Sequence, residues 1–229
     1  LDTGTDYTHE VFDMELDDSL TAITKDEVAA LSSSLAATSM SAAMGDTIDE
    51  DDLYLTTKLP YAYDYADSDT NVYPVEAHGT HVAGIIAGKS ERITGVATGA
   101  QIATFKVFPD AGTGAETEAI LAALNDAVLL GVDAINMSLG SSCGFTREED
   151  GSAVNAVYDS VEEAGICLVV AASNDYSSAY GSTNGNTNLA SNPDSGTVGS
   201  PASYSASLAV ASISGVKTPY FLLSDGTEI

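Results

Sequence analysis

Basic residues are scarce in this chain of 229 residues. Seven Lys and Arg stand against 34 Asp and Glu, which gives a formal net charge of −27 at pH 7. Nucleic-acid binding needs a basic face that neutralises phosphates, so the composition excludes nucleic acid as a partner. Anionic membrane surfaces are disfavoured for the same reason. The acidity fits a secreted or surface protein, a high-salt habitat or a calcium-rich one, and charge alone does not choose among them.

Cysteines and long apolar runs are also lacking. The chain has only two cysteines, Cys143 and Cys167, which are too few for a disulfide framework. Cys167 lies in the apolar run ICLVVAA, so we predict a buried free thiol there. No stretch of about 18 apolar residues occurs, and the sequence therefore predicts no transmembrane helix. A hydrophobic content of 44% nevertheless allows one sizeable domain with a buried core.

Apolar runs and amphipathic segments alternate in the second half of the chain. Gly131 and Gly165 follow the two amphipathic segments, as is typical of helix ends. Alternation of strand and helix predicts an α/β fold of three layers, with a mostly parallel sheet and helices on both faces. The predicted strands are residues 101–108, 132–137, 166–172 and 207–213, and the predicted helices are residues 116–130 and 148–164.

The segment 13–75 has a different composition. It is acidic and rich in Ser and Ala, with a predicted helix over residues 25–44 and a predicted Tyr/Asp-rich loop over residues 61–69. We interpret it as an insertion on the surface of the domain. Residues 173–200 form a long connection rich in Gly, Asn and Ser, of the kind that carries function on a rigid scaffold.

Two of the three histidines lie in the string HGTHVAGIIAG, at His78 and His81. A zinc site would need a third ligand, which usually arrives in a pattern such as H-E-x-x-H, and no Glu lies between the two histidines. A helix start with small residues for close packing is a second interpretation. A catalytic base is the third, and it depends on the rest of the sequence.

Three other segments place polar residues at turns that follow predicted strands. Since open α/β sheets carry their sites at the carboxyl ends of the strands, we expect these segments to meet His78 at one edge. They are LDTG at residues 1–4, INMSLGS at residues 135–141 and VVAASND at residues 169–175.

The four segments, in this order, resemble the subtilisin-like serine peptidases (subtilases). The details are most similar to the cell-envelope type of Gram-positive bacteria, which includes lactocepin and C5a peptidase. The resemblance implies an incomplete subtilisin-like α/β domain over residues 1–229. It also implies that Asp2 orients His78, that His78 is the general base, and that Asn174 donates to the oxyanion. His81 and His9 would have packing or hydrogen-bonding roles.

The resemblance further implies a cleft for an extended peptide substrate. The family more often has Gly at the position of Ser173, so the resemblance does not fix the shape of the pocket for the residue before the cut. The implied substrate-binding residues are Ser138, Leu139 and Gly140 on one side, Gly112, Thr113 and Gly114 on the other, and Ala171, Ala172 and Ser173 in that pocket.

The nucleophile of the family lies in a G-T-S-M-A-x-P segment, which does not occur after Asn174. The string ATSMSAA places Ser39 in a similar context, but it precedes His78, lacks the leading Gly and has no following Pro. We therefore expect the serine beyond residue 229, after an inserted protease-associated domain, and we expect residues 1–229 alone to be inactive. The resemblance implies an extracellular or wall-associated endopeptidase that acts on proteins or peptides. A non-catalytic peptide-binding relative is the alternative, whereas a nucleotide-binding domain would need a G-x-G-x-x-G or P-loop motif.

No cofactor for catalysis is expected. Subtilases often bind structural calcium, and Asp67, Asp69 and Asn71 have the spacing of the first three ligands of a calcium loop. Val72 replaces the required Gly, and His78 replaces the bidentate Glu. A solvated acidic turn is therefore the preferred interpretation, and calcium is expected without an assigned site.

Overall fold

Short strands, each parallel to its neighbour, form the sheet structure of the computed structural model, which describes residues 1–112, 114–141, 153–174 and 198–212. They form two groups, one in which β1 pairs with β2 and one in the order β3-β4-β5. The strands are β1 (Tyr61–Asp64), β2 (Ala103–Lys106), β3 (Ala134–Met137), β4 (Cys167–Ala171) and β5 (Ser207–Val210).

The first two residues of the chain lie between these two groups. The Asp2 backbone N–H donates to the Phe105 carbonyl at 3.2 Å, and the Val107 N–H donates to the Asp2 carbonyl at 3.0 Å. On the other side, the Leu1 nitrogen donates to the Asn136 carbonyl at 3.0 Å. Leu1 and Asp2 thus connect β2 to β3, and Asp2 lies near the middle of the combined sheet.

The helices lie on both faces of the sheet. On one face, α5 and α6 contact each other, and the buried core joins their apolar side chains to those of β3 and β4. On the other face, α4 and the strands border a cavity of about 610 Å³. The predicted α/β class is confirmed. The helices are α1 (Lys25–Leu31), α2 (Ala36–Met44), α3 (Glu50–Leu53), α4 (His78–Ala87), α5 (Thr117–Leu130) and α6 (Ala153–Glu163).

Most predicted elements are found with shifted ends. The helix predicted over residues 25–44 is helical but is interrupted at Leu35, whose φ and ψ of −71° and 140° are extended. The helix predicted over residues 148–164 is described from Ala153 onward, and the last predicted strand covers Ser207–Val210. Most of the connection 173–200, together with Cys143, lies outside the described residues. None of the described helices has the length and apolar character needed to cross a bilayer.

The prediction of a surface loop over residues 61–69 is wrong for its first half. Residues 61–64 are β1, and every residue of that strand is buried. Residues of the segment 13–75, which we interpreted as lying on the surface, also fill the main core, including Val28, Leu35 and Leu53. The polar composition is misleading here because the tyrosine hydroxyls find partners inside the protein, which offsets the cost of burying them.

Cys167 is another correction, since its side chain is exposed rather than buried. It points from β4 to the face opposite Leu168 and Val170, which are buried against the helices. Leu208 and Val210 of β5 are also 56% and 50% exposed. No described helix covers these exposed side chains of β4 and β5.

A buried carboxylate, that of Asp126 in α5, joins three elements of the core. Its oxygens accept hydrogen bonds from the backbone N–H groups of Ala36 at 2.7 Å and Ala37 at 3.0 Å. These are orphan donors at the start of α2, and Leu35 before them offers no side-chain cap. Asp126 also accepts from the Tyr65 hydroxyl at 2.8 Å, and Tyr61 and Tyr65 join their hydroxyls at 2.8 Å. Burial raises the pKa of both tyrosines well above the ordinary value, so they remain protonated donors.

The substitution Asp126→Ala should destabilise the chain by about 3–5 kcal/mol, because it leaves buried donors on α2 and Tyr65 without an acceptor. Asp159→Ala, at an exposed position of α6, is the matched control, and its free energy of unfolding should change by no more than about 0.5 kcal/mol. Urea unfolding followed by circular dichroism measures both. A loss below about 1 kcal/mol for Asp126→Ala would contradict the assigned role.

Candidate active site

The turn after Asp2 holds the start of α4 through the hydroxyl of Thr3. This hydroxyl accepts a hydrogen bond from the Gly79 backbone N–H at 2.9 Å and donates to the Glu76 carbonyl at 2.7 Å. Ala77, the residue before α4, makes no side-chain cap. A cap from a distant turn therefore replaces the usual local cap and fixes α4 to residues 2–4.

Glycines allow the turn and the helix to approach closely. A Cβ on Gly79 would lie 2.2 Å from the Gly4 carbonyl oxygen and 3.1 Å from Asp2 Oδ1. Gly4 itself has a φ of +103°, and a Cβ there would lie 2.4 Å from the Val72 carbonyl oxygen. Only residues without a Cβ fit at both positions.

This approach brings together Asp2 and His78, the first residue of α4. His78 Nδ1 lies 2.6 Å from Asp2 Oδ1, which also accepts from the Thr3 backbone N–H at 2.8 Å. Because a carboxylate can only accept, the Nδ1 atom of His78 carries the proton, and Nε2 of the neutral ring is left with its lone pair. The Asp2 side chain is 12% exposed and the His78 side chain 53% exposed, so the carboxylate lies behind a ring that faces solvent.

A cleft of about 420 Å³ opens beside His78. Strand ends supply most of its walls, as expected for the carboxyl edge of a parallel sheet. Ser141, one of the lining residues, pairs with Ser200 through two backbone hydrogen bonds of 2.8 and 3.0 Å. The lining residues are Thr3, His78, Phe108, Ser138, Leu139, Gly140, Ser141, Ala171, Ser173, Asn174 and Gly199.

Seven of the residues that we predicted for the site line this cleft: His78, Ser138, Leu139, Gly140, Ala171, Ser173 and Asn174. Ala172 does not line it; its backbone N–H and carbonyl bind Val210 and Gly199 at 2.9 and 2.8 Å. Gly112 and Gly114 also lie off the cleft wall, and Thr113 lies outside the described residues. The individual roles of all these residues stay predictions.

Four cleft residues were missed by the reasoning from sequence: Thr3, Phe108, Ser141 and Gly199. Phe108 follows β2 by two residues, so the rule that sites lie at the carboxyl ends of strands could have found it. Thr3 follows Asp2 directly, but its hydroxyl acts as a distant helix cap, which no local pattern reveals.

Ser173 has a φ of +121°, a backbone conformation that favours glycine. This is the position at which the resemblance leads us to expect glycine. The serine therefore keeps the glycine-like backbone and adds a side chain to the cleft wall, directly before Asn174.

The other candidate site residues lie elsewhere. His81 is exposed and does not line the cleft, and its packing or hydrogen-bonding role stays a prediction. His9 Nδ1 accepts from the Val11 N–H at 3.3 Å. Ser39 is exposed on α2, which packs against α5. Among the described residues, neither His78 nor His81 belongs to a cluster that could hold a metal ion.

The predicted calcium pattern does not converge into a ligand set. The Asp69 and Asn71 side chains accept from the backbone N–H groups of Asn71 and Tyr73, at 2.8 and 3.3 Å. Asp67 instead accepts from the Asp110 N–H at 2.7 Å. A cluster of Asp64, Asp67 and Asp110 contains the ammonium of Lys106. Structural calcium stays a prediction without a site.

Comparisons with known proteins point to one family. The profile of the subtilase family matches residues 1–224. The PIII-type proteinase of Lactococcus lactis subsp. cremoris is 31% identical over 243 aligned residues, which cover 100% of this chain and 12% of that proteinase. The C5a peptidase of Streptococcus pyogenes is 32% identical over 171 residues, covering 70% of this chain and 14% of that peptidase. The solved structure of sphericase aligns with a TM-score of 0.50 and 27% identity, over 72% of this chain and 48% of sphericase.

The substitution Gly79→Ala should destabilise the chain by about 1–3 kcal/mol and separate His78 from Asp2, because the new methyl group overlaps the Gly4 carbonyl. The matched control is Gly84→Ala in the same helix, where a Cβ would meet nothing within 4 Å. That control should stabilise the chain by about 0.5–1 kcal/mol, since Ala favours helix over Gly.

Thermal unfolding measures the two stabilities, and proton NMR of the His78 Nδ1–H reports the pair. The signal of a proton shared with a carboxylate should disappear in Gly79→Ala and persist in Gly84→Ala. Equal behaviour of the two variants would show that the close approach does not hold the pair together.

Proposed function

The chain belongs to the subtilase family, and we propose that it forms the Asp–His part of the catalytic domain of a secreted or wall-associated serine endopeptidase. The hydrogen bond between Asp2 and His78 at the mouth of the cleft is the observation that carries this proposal. The alignment covers only 12% of the lactococcal proteinase and 14% of the C5a peptidase. The activity, the location and the substrates of the whole protein are therefore part of the proposal.

His78 is the general base in the proposed reaction. Asp2 accepts the Nδ1 proton, so Nε2 can take the proton of a serine hydroxyl as its oxygen attacks the carbonyl carbon of the peptide. The imidazolium then gives this proton to the leaving amine as the C–N bond breaks, and an acyl-enzyme remains. A water molecule then attacks the acyl group with His78 again as the base, which releases the carboxylic acid and restores the serine hydroxyl. The negative charge of Asp2 stabilises the imidazolium throughout, and no cofactor takes part.

Asn174 is the proposed donor to the oxyanion. Its amide would stabilise the negative charge that develops on the carbonyl oxygen, and its place in the cleft lining supports this role. The residues after β3, Ser138–Gly140, would pair with an extended peptide through their backbone groups. Ala171 and Ser173 would border the pocket for the residue before the cut, whereas Gly112, Thr113 and Gly114 would contact the peptide from the opposite side.

The nucleophile would come from a segment beyond residue 229. One face of β4 and β5 is covered by none of the described helices, and it supports this arrangement because parallel sheets are normally buried on both faces. Its apolar side chains, Val169, Leu208 and Val210, lie on the same side of the sheet as α4. We propose that a segment packed on this face brings the serine to Nε2 of His78.

The experiment is fluorophosphonate labelling of the full-length protein. Labelling should be lost in His78→Ala and retained in His81→Ala, three residues along the same helix and away from the cleft. Asn174→Ala should lower kcat for a peptide substrate by about 10²–10³, the range known for removal of one oxyanion donor, including that of subtilisin.

Absence of labelling in the unsubstituted protein would contradict the proposal. If such a protein still bound peptides, and Ser138–Gly140 were protected from hydrogen exchange on binding, the function would be non-catalytic peptide binding in the same cleft. Labelling that survives His78→Ala would leave an enzyme with a different base.

A further inference from the structure

The side chain of Lys106, at the end of β2, lies inside the protein among three carboxylates. Its ammonium donates to Asp64, at a short contact, to Asp110 at 2.9 Å and to Asp67 at 3.4 Å. Lys106 and Asp64 are 1% exposed, whereas Asp67 and Asp110 are 34% and 44% exposed. The mechanism proposed above uses none of these four side chains.

Charge explains why the lysine is needed. The three carboxylates each have an oxygen within 4.8 Å of the other two, which is the separation found around a metal ion. Without a cation at that place they would repel one another. Burial alone would lower the pKa of Lys106, but the hydrogen bonds and charges of Asp64 and Asp110 outweigh it and raise that pKa. The ammonium therefore stays charged at neutral pH.

The same lysine contacts the Asp2–Gly4 turn and the segment that carries Phe108. Its backbone pairs with Asp2, and its Cδ atom lies 3.0 Å from where a Cβ of Gly4 would be. On the other side, Asp110 is held twice, by the ammonium and by the bond from its N–H to Asp67. The chain between Lys106 and Asp110 carries Phe108, which lines the cleft.

We propose that Lys106 is a positioning residue that takes the place of a metal ion among Asp64, Asp67 and Asp110. In this role it holds the segment 107–110, whose Phe108 forms part of the cleft wall, against the turn that follows Asp2. The inference rests on the proposed function, because it concerns how the same cleft binds a peptide. Asp110 is the outer anchor of this arrangement and acts on the wall, not on the reacting atoms.

The first experiment compares Asp110→Ala with Asp159→Ala in the full-length enzyme. Asp110→Ala removes the bond to the Lys106 ammonium and keeps the backbone bond to Asp67, so the wall is loosened on one side only. We therefore expect KM for an extended peptide to rise about 3–10-fold and kcat to change less than about twofold. The control should keep both constants. A fall in kcat with KM unchanged, or no change in either, would overturn the inference.

The second experiment removes the cation. Lys106→Met should lower the midpoint of thermal unfolding, and millimolar Ca²⁺ should restore it in part by binding the three carboxylates. The unsubstituted protein, whose ammonium fills that place, should gain less from the same Ca²⁺. An equal response of the two proteins would overturn the inference. If Lys106→Met does not fold in Ca²⁺ either, the result from Asp110→Ala decides.

The two experiments separate this inference from the proposed function. A full-length protein that hydrolyses peptides, but whose KM is unchanged by Asp110→Ala, keeps the function and loses the inference. A protein without hydrolysis loses the function, and the Ca²⁺ response of Lys106→Met still tests whether the lysine stands in for a metal ion.

Discussion

The contact between Gly79 and the carbonyl of Gly4 is the constraint on which the site depends. A Cβ at position 79 would lie 2.2 Å from that oxygen, so α4 can approach the Asp2 turn only if residue 79 is glycine. The approach lets Thr3 cap the helix from the turn and brings His78 Nδ1 to 2.6 Å from Asp2. The position of the pair is therefore set by the packing of the two backbones.

The buried charged side chains of this acidic protein connect segments that are distant in the sequence. Asp126 holds the start of α2, Lys106 holds the turns on either side of β2, and Lys58 holds the loop before β2. The Lys58 ammonium donates to the carbonyls of Thr98 at 2.8 Å and Ala100 at 2.6 Å, and burial lowers its pKa to about 8. Two of the five basic residues that the structure describes thus lie inside, although the surface is where the excess of acid would favour them. Connections between distant segments account for their positions.

Sequence reasoning succeeded where a local pattern has a local cause. The turns after strands place Ser138 and Asn174 at one edge, and the parallel sheet brings them to His78, as the alternation of elements predicts. It failed for Tyr61–Asp64 because alternating Tyr and Asp indicates a polar loop, whereas Tyr63 bonds Ser41 and Asp64 bonds Lys106 inside the core. Those partners are distant in sequence, so composition cannot reveal them. The prediction of a buried thiol at Cys167 failed for a related reason, since an apolar run does not show which face of a strand is covered.

Groups that cost folding energy gather around the cleft. Ser173 holds a φ of +121°, which a side chain disfavours by about 1–3 kcal/mol. Asp2 Oδ2 is buried and accepts no hydrogen bond from the described residues, which costs a similar amount. The rest of the described core carries no other orphan side-chain atom, since its buried polar groups are paired. The two costs lie beside the cleft, and the buried polar groups of the rest of the described core add no further cost of this kind because they are paired.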